Sequence, residues 1–133
     1  MKKQLLTAAL ISLAAVPALA AEMQVLPQKP FVCQLPIDNA RVVVMDSALR
    51  FNWQVTEDSK GKMKLRYSKG SKFYADIEVV YTEKNFRINY VESFGLGYEK
   101  KGAGAVIHRN YNRWIRNLDK EISLRSSAAC LKK

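Results

Sequence analysis

The chain begins with one continuous apolar run before any periodic pattern of hydrophobic and polar positions appears. Residues 5–16 are apolar apart from two hydroxyl residues, and they follow a short basic start at residues 1–3. Ala18-Leu19-Ala20 then has the small-x-small pattern of a leader cleavage site. We therefore expect a secretory signal peptide over residues 1–20, cleaved after Ala20. A transmembrane anchor is the alternative, but the run is too short to cross a bilayer comfortably.

An extended lead-in and a first helix are expected next. Residues 21–36 contain three prolines and show no clear period, which favours an extended segment. Asp38 or Asn39 can cap a helix that runs to about Arg50. The β-branched run at residues 42–44 lowers its helix propensity, so burial has to stabilise this helix.

Between residues 53 and 90 the hydrophobic period changes from 3.6 to 2. Short polar connections join the alternating segments, which predicts a four-stranded antiparallel meander. Its apolar positions are Trp53 and Val55; Met63, Leu65 and Tyr67; Phe73, Ala75, Ile77, Val79 and Tyr81; and Phe86, Ile88 and Tyr90. Ser-Lys-Gly at 59–61 and again at 68–70 fits a bulged turn with glycine in the left-handed conformation, and residues 83–85 supply the third turn.

A helical stripe returns in the last part of the chain. Its apolar residues recur at intervals of three and four: Ile107, Tyr111, Trp114, Ile115, Leu118 and Ile122. The positions between them are mostly charged, so the stripe predicts an amphipathic closing helix with Trp114 in the core. We predict an α+β fold in which the N-terminal and C-terminal helices pack on one face of the four-stranded sheet. Residues 37–133 would form this single domain.

The two cysteines, Cys33 and Cys130, become informative once export is expected. In an oxidising compartment an even pair predicts a disulfide, and two free thiols or a redox pair are the alternatives. A redox pair usually has the Cys-x-x-Cys spacing, which this sequence lacks. The bridge would join the start of the first helix to the end of the last and set them roughly antiparallel. We expect a periplasmic or secreted protein without a lipid anchor.

Two stretches resemble a family of small exported bacterial proteins, which are periplasmic or lipoproteins. Residues 93–98 fit Ser-x-x-Leu-x-Tyr, and residues 107–118 fit Ile-His-x-x-Tyr-Asn-x-Trp-Ile-x-x-Leu. The matching residues are Ser93, Leu96, Tyr98, Ile107, His108, Tyr111, Asn112 and Trp114. The resemblance covers about residues 38–125 and implies a helix, a strand-rich meander and a second helix. It implies no reaction, and this chain lacks the lipobox cysteine of the lipoprotein members.

A net charge of +10 points to anionic partners. With both turns bulged, the pairs expected opposite each other are Lys62–Asp76, Lys64–Tyr74 and Arg66–Lys72. One end of the outer sheet face would then stay cationic. We call Lys64, Arg66, Lys72 and Tyr74 the outer-face site, a candidate for binding anionic lipid, lipopolysaccharide or a cell-wall polymer. An ordinary solvated surface is the alternative, and no nucleic-acid-binding motif is present.

A second candidate site is the long loop at 93–106 together with the start of the last helix. Its residues are Ser93, Tyr98, His108 and Asn112. Loops of this length are often functional, and a mobile structural loop is the alternative. A lone histidine at this position is also typical of a helix-start residue bonded to a loop carbonyl.

Catalysis has weaker support in the sequence. Asp76 and Glu78 share one strand face, as the paired carboxylates of a glycosidase would, but basic residues flank them and favour ion pairs. Ser93 lacks a nucleophile elbow. We therefore expect a non-enzymatic binding module without cofactor or metal, with an envelope component or envelope protein as partner. The alternatives are a small hydrolase and an interaction subunit that uses an exposed first or fourth strand as a docking edge.

Overall fold

A computed structural model describes residues 19–132, so the predicted signal peptide lies outside the described residues except for its last two positions. The elements in chain order are β1 (Ala20–Glu22), β2 (Lys29–Pro30), α1 (Ile37–Arg50), β3 (Gln54–Ser59), β4 (Lys62–Lys69), β5 (Phe73–Tyr81), β6 (Asn85–Phe94), β7 (Glu99–Lys101), β8 (Gly104–His108) and α2 (Arg109–Leu131). The α+β class is confirmed. Neither helix in this part of the chain is long and apolar enough to cross a membrane.

The strands of residues 19–132 form two antiparallel sheets, so the predicted single four-stranded sheet is wrong. A five-stranded sheet has the order β2-β6-β5-β4-β3, and a three-stranded sheet has the order β1-β8-β7. The meander β3 to β6 keeps its predicted order. The additional strands come from the lead-in and from the expected loop at 93–106, and each has only two to five residues. A period of two cannot be recognised in segments this short.

Helix α1 starts two or three residues earlier than expected. Its N-cap is Pro36, and no side chain within residues 19–132 caps it, so the predicted cap at Asp38 or Asn39 is wrong. The Pro36 carbonyl instead accepts hydrogen bonds from the amides of Asn39 and Ala40, at 2.9 and 3.0 Å. Asp38 lies in the first turn, where its negative charge suits the positive end of the helix dipole.

Helix α2 starts at Arg109, with His108 as its N-cap. The Nδ1 atom of His108 accepts a hydrogen bond from the Asn110 amide at 3.1 Å. Ile107, expected on the helical stripe, therefore lies in β8, where it is fully buried. Four other members of the stripe are buried, as expected: Tyr111, Ile115, Leu118 and Ile122. Trp114 is only partly buried.

The core lies between the five-stranded sheet and the two helices. Helix α1 packs on β3, β4 and β5, whereas α2 packs mainly on α1, β1 and β8. The largest fully buried side chains of the meander are Trp53, Met63, Leu65, Ile77, Tyr81 and Phe86. The expectation that both helices pack directly on the meander is therefore wrong for α2, part of which packs on the three-stranded sheet.

The disulfide between Cys33 and Cys130 is present, with 5.9 Å between its Cα atoms and a sequence separation of 97. Closing a loop of this length stabilises the fold by ~4–5 kcal/mol in the chain-entropy account. The bridge joins the start of α1 to the end of α2. Because residues 50–53 and 113–117 meet at the opposite end, the two helices run antiparallel.

The lead-in runs along α2 in the same direction as the helix. We call residues 19–30 the N-terminal strap. Its contacts, in order, are Leu19 with Arg109, Glu22 and Gln24 with Asn112, and Lys29 with Asp119. Strands β1 and β2 add backbone pairing to β8 and β6. The segment expected to be merely extended is thus part of the domain.

Candidate functional site

The β4–β5 register changes the chemistry of the outer-face site. The observed pairs are Lys62–Val80, Lys64–Glu78, Arg66–Asp76 and Ser68–Tyr74. The predicted register is therefore wrong by four residues. The difference arises in the loop between the strands. Strand β4 continues to Lys69 and β5 starts at Phe73, so the loop consists of residues 70–72. It begins with Gly70, which has φ 57°.

In this register the acidic residues face the cations of the outer-face site. Arg66 donates from Nε and Nη2 to the two carboxylate oxygens of Asp76, at 2.7 and 2.8 Å. The hydrogen bond to Asp76 raises the pKa of Arg66. The same guanidinium lies 3.9 Å from the ring centroid of Tyr74, and Lys64 stands opposite Glu78. Lys72 is exposed in the loop between β4 and β5.

The paired carboxylates on β5 are engaged in the same network. Asp76 is held by Arg66, and Glu78 accepts a hydrogen bond from the Asn89 amide at 3.3 Å. Both side chains lie on the open outer face of the sheet. Neither side chain lines any of the four cavities of about 220, 240, 350 and 680 Å³.

The second candidate site divides into separate structural roles. Ser93 Oγ lies 2.8 Å from the Tyr90 hydroxyl, and the Tyr98 ring stacks on Tyr90 with 4.6 Å between centroids. Burial raises the pKa of Tyr90, while its hydrogen bond with Ser93 opposes that shift. Ser93 and Tyr98 therefore meet in a tyrosine cluster, and Tyr111 contacts Tyr90 edge-on.

His108 and Asn112 face other partners. His108 caps α2, and its backbone amide donates to the Leu96 carbonyl at 2.8 Å. Asn112 is buried and binds the N-terminal strap, as its Nδ2 donates to the Glu22 carbonyl and its Oδ1 accepts from the Gln24 amide, both at 2.9 Å. The four predicted residues do not converge on one ligand.

A cavity that the sequence did not predict lies where the end of α1 meets the start of α2. Its volume is about 350 Å³. We call it the arginine cleft. Its polar lining residues are Arg50, Asn52, Arg113 and Asn117, and its aromatic lining residues are Phe51, Trp53, Tyr67 and Trp114.

The end of α1 shapes one wall of the arginine cleft. Asn52 adopts the left-handed conformation at φ 66°, which asparagine tolerates and which commonly ends helices. The chain turns at once into β3, and the Trp53 amide donates back to the Ala48 carbonyl at 3.0 Å. Trp53 is thereby buried as the floor, while Arg50 and Asn52 remain exposed at the rim.

An aromatic stack forms the other wall. The Tyr67 ring lies 4.6 Å from Trp114 and 5.6 Å from Trp53, centroid to centroid. Phe73 stacks on Trp114 at 5.6 Å with 14° between the ring planes. Trp114, expected in the core, is only partly buried and packs against the core from its edge. The expectation that Trp114 belongs to the core is therefore only partly met.

The arginine cleft is cationic. Within residues 19–132, neither Arg50 nor Arg113 has a carboxylate partner, although Arg50 lies 5.4 Å from the centroid of Phe51. No acidic side chain of the described chain lines the cleft. The amides of Asn52 and Asn117 are exposed beside the two guanidinium groups. The arrangement can accept an anion together with hydrogen-bonding hydroxyls.

A smaller cavity of about 240 Å³ lies further toward the start of α2. We call it the histidine cavity, lined by Phe73, Gly95, Leu96, His108, Asn110 and Trp114. Gly95 has φ 75°, and a Cβ there would lie 2.2 Å from the Lys72 carbonyl oxygen. Glycine at this position lets the chain after β6 lie directly against the start of β5. Trp114 and Phe73 then separate the histidine cavity from the arginine cleft.

The sequence analysis assigned four aromatic residues of the two cavities to apolar core faces, namely Trp53, Tyr67, Phe73 and Trp114. A signal was available on α2, where Arg113 and Asn117 are four residues apart and flank Trp114. A tryptophan at the edge of an apolar stripe, next to an arginine without an acidic residue at helical spacing, indicates a partly open aromatic surface.

Comparison with protein-family models, with curated proteins and with solved structures finds no match to this chain. The resemblance to small exported bacterial proteins therefore stays a prediction. The function has to be argued from the site itself.

Proposed function

We propose that the protein is a non-enzymatic binding module of the bacterial cell envelope that holds an anionic component in the arginine cleft. The observation that carries this proposal is the pair Arg50 and Arg113, two guanidinium groups without carboxylate partners in the described chain, on an aromatic-walled cavity. Guanidinium groups match phosphate and carboxylate oxygens in a two-pronged geometry.

The remaining lining supports the same chemistry. Aromatic rings of Trp53, Tyr67 and Trp114 reduce the water around a bound anion, which strengthens its attraction to the arginines. The amides of Asn52 and Asn117 can donate to and accept from ligand hydroxyl groups. A volume of about 350 Å³ is near the lower limit of ordinary ligand sites, so the cleft holds one small unit.

The envelope location rests on the disulfide and on the predicted leader. The Cys33–Cys130 bridge is typical of proteins in oxidising compartments such as the periplasm. An anionic partner there would be lipopolysaccharide, an anionic lipid or a cell-wall polymer, and an envelope protein is the other class of partner.

The alternatives have less support from the geometry. In the outer-face site, Asp76 and Glu78 face Arg66 and Lys64. Their negative charges reduce the positive electrostatic potential that would attract an anion. The same engagement of Asp76 disfavours a hydrolase built on that carboxylate pair. Strand β3, an edge of the larger sheet, is interrupted by a bulge and carries Glu57 and Asp58, features that discourage strand addition.

The test compares a cleft variant with a matched surface variant. Arg50→Gln combined with Arg113→Gln removes two charges from the cleft, and Lys120→Gln combined with Lys132→Gln removes two exposed charges elsewhere. Probes are lipopolysaccharide, vesicles of anionic phospholipid and polygalacturonate, each across a salt series. We expect the cleft variant to lose between about 10- and 100-fold in affinity for at least one probe, because each charge-assisted contact is worth about tenfold.

The affinity of the surface variant should stay within about twofold of the wild-type affinity, once the salt series has been used to correct for its two lost charges. Equal binding by the two variants for every probe would contradict the proposal. Melting temperatures serve as the folding control, since none of the four replaced side chains makes an ion pair in the described chain.

A further inference from the structure

We propose that the arginine cleft and the histidine cavity are two neighbouring subsites for one anionic oligosaccharide chain, with Trp114 as the platform between them. This inference rests on the proposed function, because it takes the arginine cleft as the subsite that binds the anionic group. It adds the ligand class and the requirement for at least two linked sugar units.

The shared wall is the first observation. Trp114 lines both cavities, and Phe73, which lines the histidine cavity, stacks on it with centroids 5.6 Å apart. Along α2 the two cavities follow each other from Asn110 to Asn117. Seven residues of helix advance about 10 Å, a length suited to two linked pyranose rings rather than one.

The lining chemistry favours sugar over peptide. No residue of the edge strands β1, β2, β3 and β7 lines either cavity, so neither cavity offers the row of backbone donors that an extended peptide needs. Aromatic faces can instead cover the apolar face of a pyranose ring. Side-chain amides at Asn52, Asn110 and Asn117 can pair with its hydroxyl groups.

The rim argues against an inserted lipid. Its exposed members are polar, namely Arg50, Asn52, Arg113 and Asn117, whereas exposed large apolar side chains such as Phe94 and Leu131 are not among the lining residues of either cavity. An acyl chain would need apolar side chains at this entrance.

His108 adds a donor to the second subsite. Its Nδ1 accepts from the Asn110 amide, so the neutral ring carries its proton on Nε2. His108 lines the histidine cavity, and no acidic residue of the described chain lies there with it. The second subsite therefore offers hydrogen-bond donors without repelling a negatively charged chain.

The experiment measures affinity against chain length. Galacturonate monomer, dimer and tetramer are titrated calorimetrically into the full chain with its disulfide intact, with maltotetraose as the neutral comparison and anionic phospholipid vesicles as the lipid arm. We expect affinity to rise at least tenfold from monomer to tetramer and maltotetraose to bind at least tenfold more weakly than the acidic tetramer.

Asn110→Asp is the diagnostic variant. It places a negative charge in the histidine cavity, at a helix start where a carboxylate suits the dipole, so the fold should be retained. In this variant the increase in affinity from monomer to tetramer should disappear, while the affinity for the monomer should equal that of the wild type. Asn39→Asp makes the same replacement in the first turn of α1, on the opposite end of the helix pair from the arginine cleft, and should preserve the gain.

The outcomes separate the two proposals. If monomer and tetramer bind equally and both depend on Arg50 and Arg113, the second subsite is wrong and the proposed function stands. If the acidic sugars fail to bind while vesicles bind through the arginines, the ligand class is wrong. If no anionic probe depends on Arg50 and Arg113, both proposals fail.

Discussion

Asn112 fixes the N-terminal strap to α2, and its replacement by alanine should loosen the strap before the rest of the domain unfolds. The side chain is 6% exposed and makes two hydrogen bonds of 2.9 Å to the backbone of Glu22 and Gln24. Each such bond contributes a net ~0.5–1.5 kcal/mol, which gives ~1–3 kcal/mol for the pair. Because Glu22 and Gln24 are exposed, water can reach the freed backbone groups, and the lower half of that range is expected.

Hydrogen exchange followed by mass spectrometry tests this on the strap itself. A loss of 1–2 kcal/mol corresponds to roughly 5- to 30-fold faster exchange where local opening controls it. The Gln24 amide should show this acceleration, while amides of β4 and β5 change only as much as the global stability falls. Urea denaturation gives that global value.

Asn117→Ala is the matched control, since it makes the same replacement on the same helix at an exposed position. Any gain in helix propensity is then common to both variants. The reasoning is refuted if Asn112→Ala lies within 0.5 kcal/mol of the Asn117→Ala control and the exchange of the strap is unchanged, a difference within the usual scatter of surface substitutions.

Three further predictions concern the disulfide, a loop glycine and a buried tyrosine. Cys130→Ser should lower the free energy of unfolding by roughly 2–5 kcal/mol in denaturant titrations, and two alkylated thiols in unreduced native protein would disprove the bridge. Gly95→Ala should lower the melting temperature more than Gly97→Ala, because both have positive φ but only at Gly95 would a Cβ meet a backbone oxygen; equal losses would contradict this. Burial raises the pKa of Tyr111, so its contribution to stability is complete below the unfolded value near pH 10 and falls as the pH rises above it. Tyr111→Phe should therefore lose less stability than the wild type between pH 10 and 11.5 in urea titrations, and identical pH profiles would exclude that role.

The long elements were predictable because their hydrophobic period repeats several times. Strands β4 and β5 have eight and nine residues, and α2 has 23, which is enough for alternation or a helical stripe to be recognised. Strands β1 and β2 have three and two residues. Their assignment depends on partners far along the chain, which local sequence does not specify.

The register and the cleft were missed for different physical reasons. A hairpin register depends on loop length, and a polar stretch such as 68–72 allows more than one loop. The cleft brings together residues 50–53, Tyr67 and residues 113–117, so no local motif describes it. Its aromatic residues have the same spacing as core residues, and only the packing leaves Trp114 at the edge.

The contacts of the N-terminal strap also determine the order in which parts of the fold can form. Gln24 and its partner Asn112 are 88 residues apart in the sequence, and Lys29 and Asp119 are 90 residues apart. The disulfide of Cys33 likewise requires Cys130, near the end of the chain. A ribosome that adds about 5–20 residues per second needs roughly 4–20 s to make such a stretch. For that interval the strap lacks the α2 partners that hold it in the folded domain.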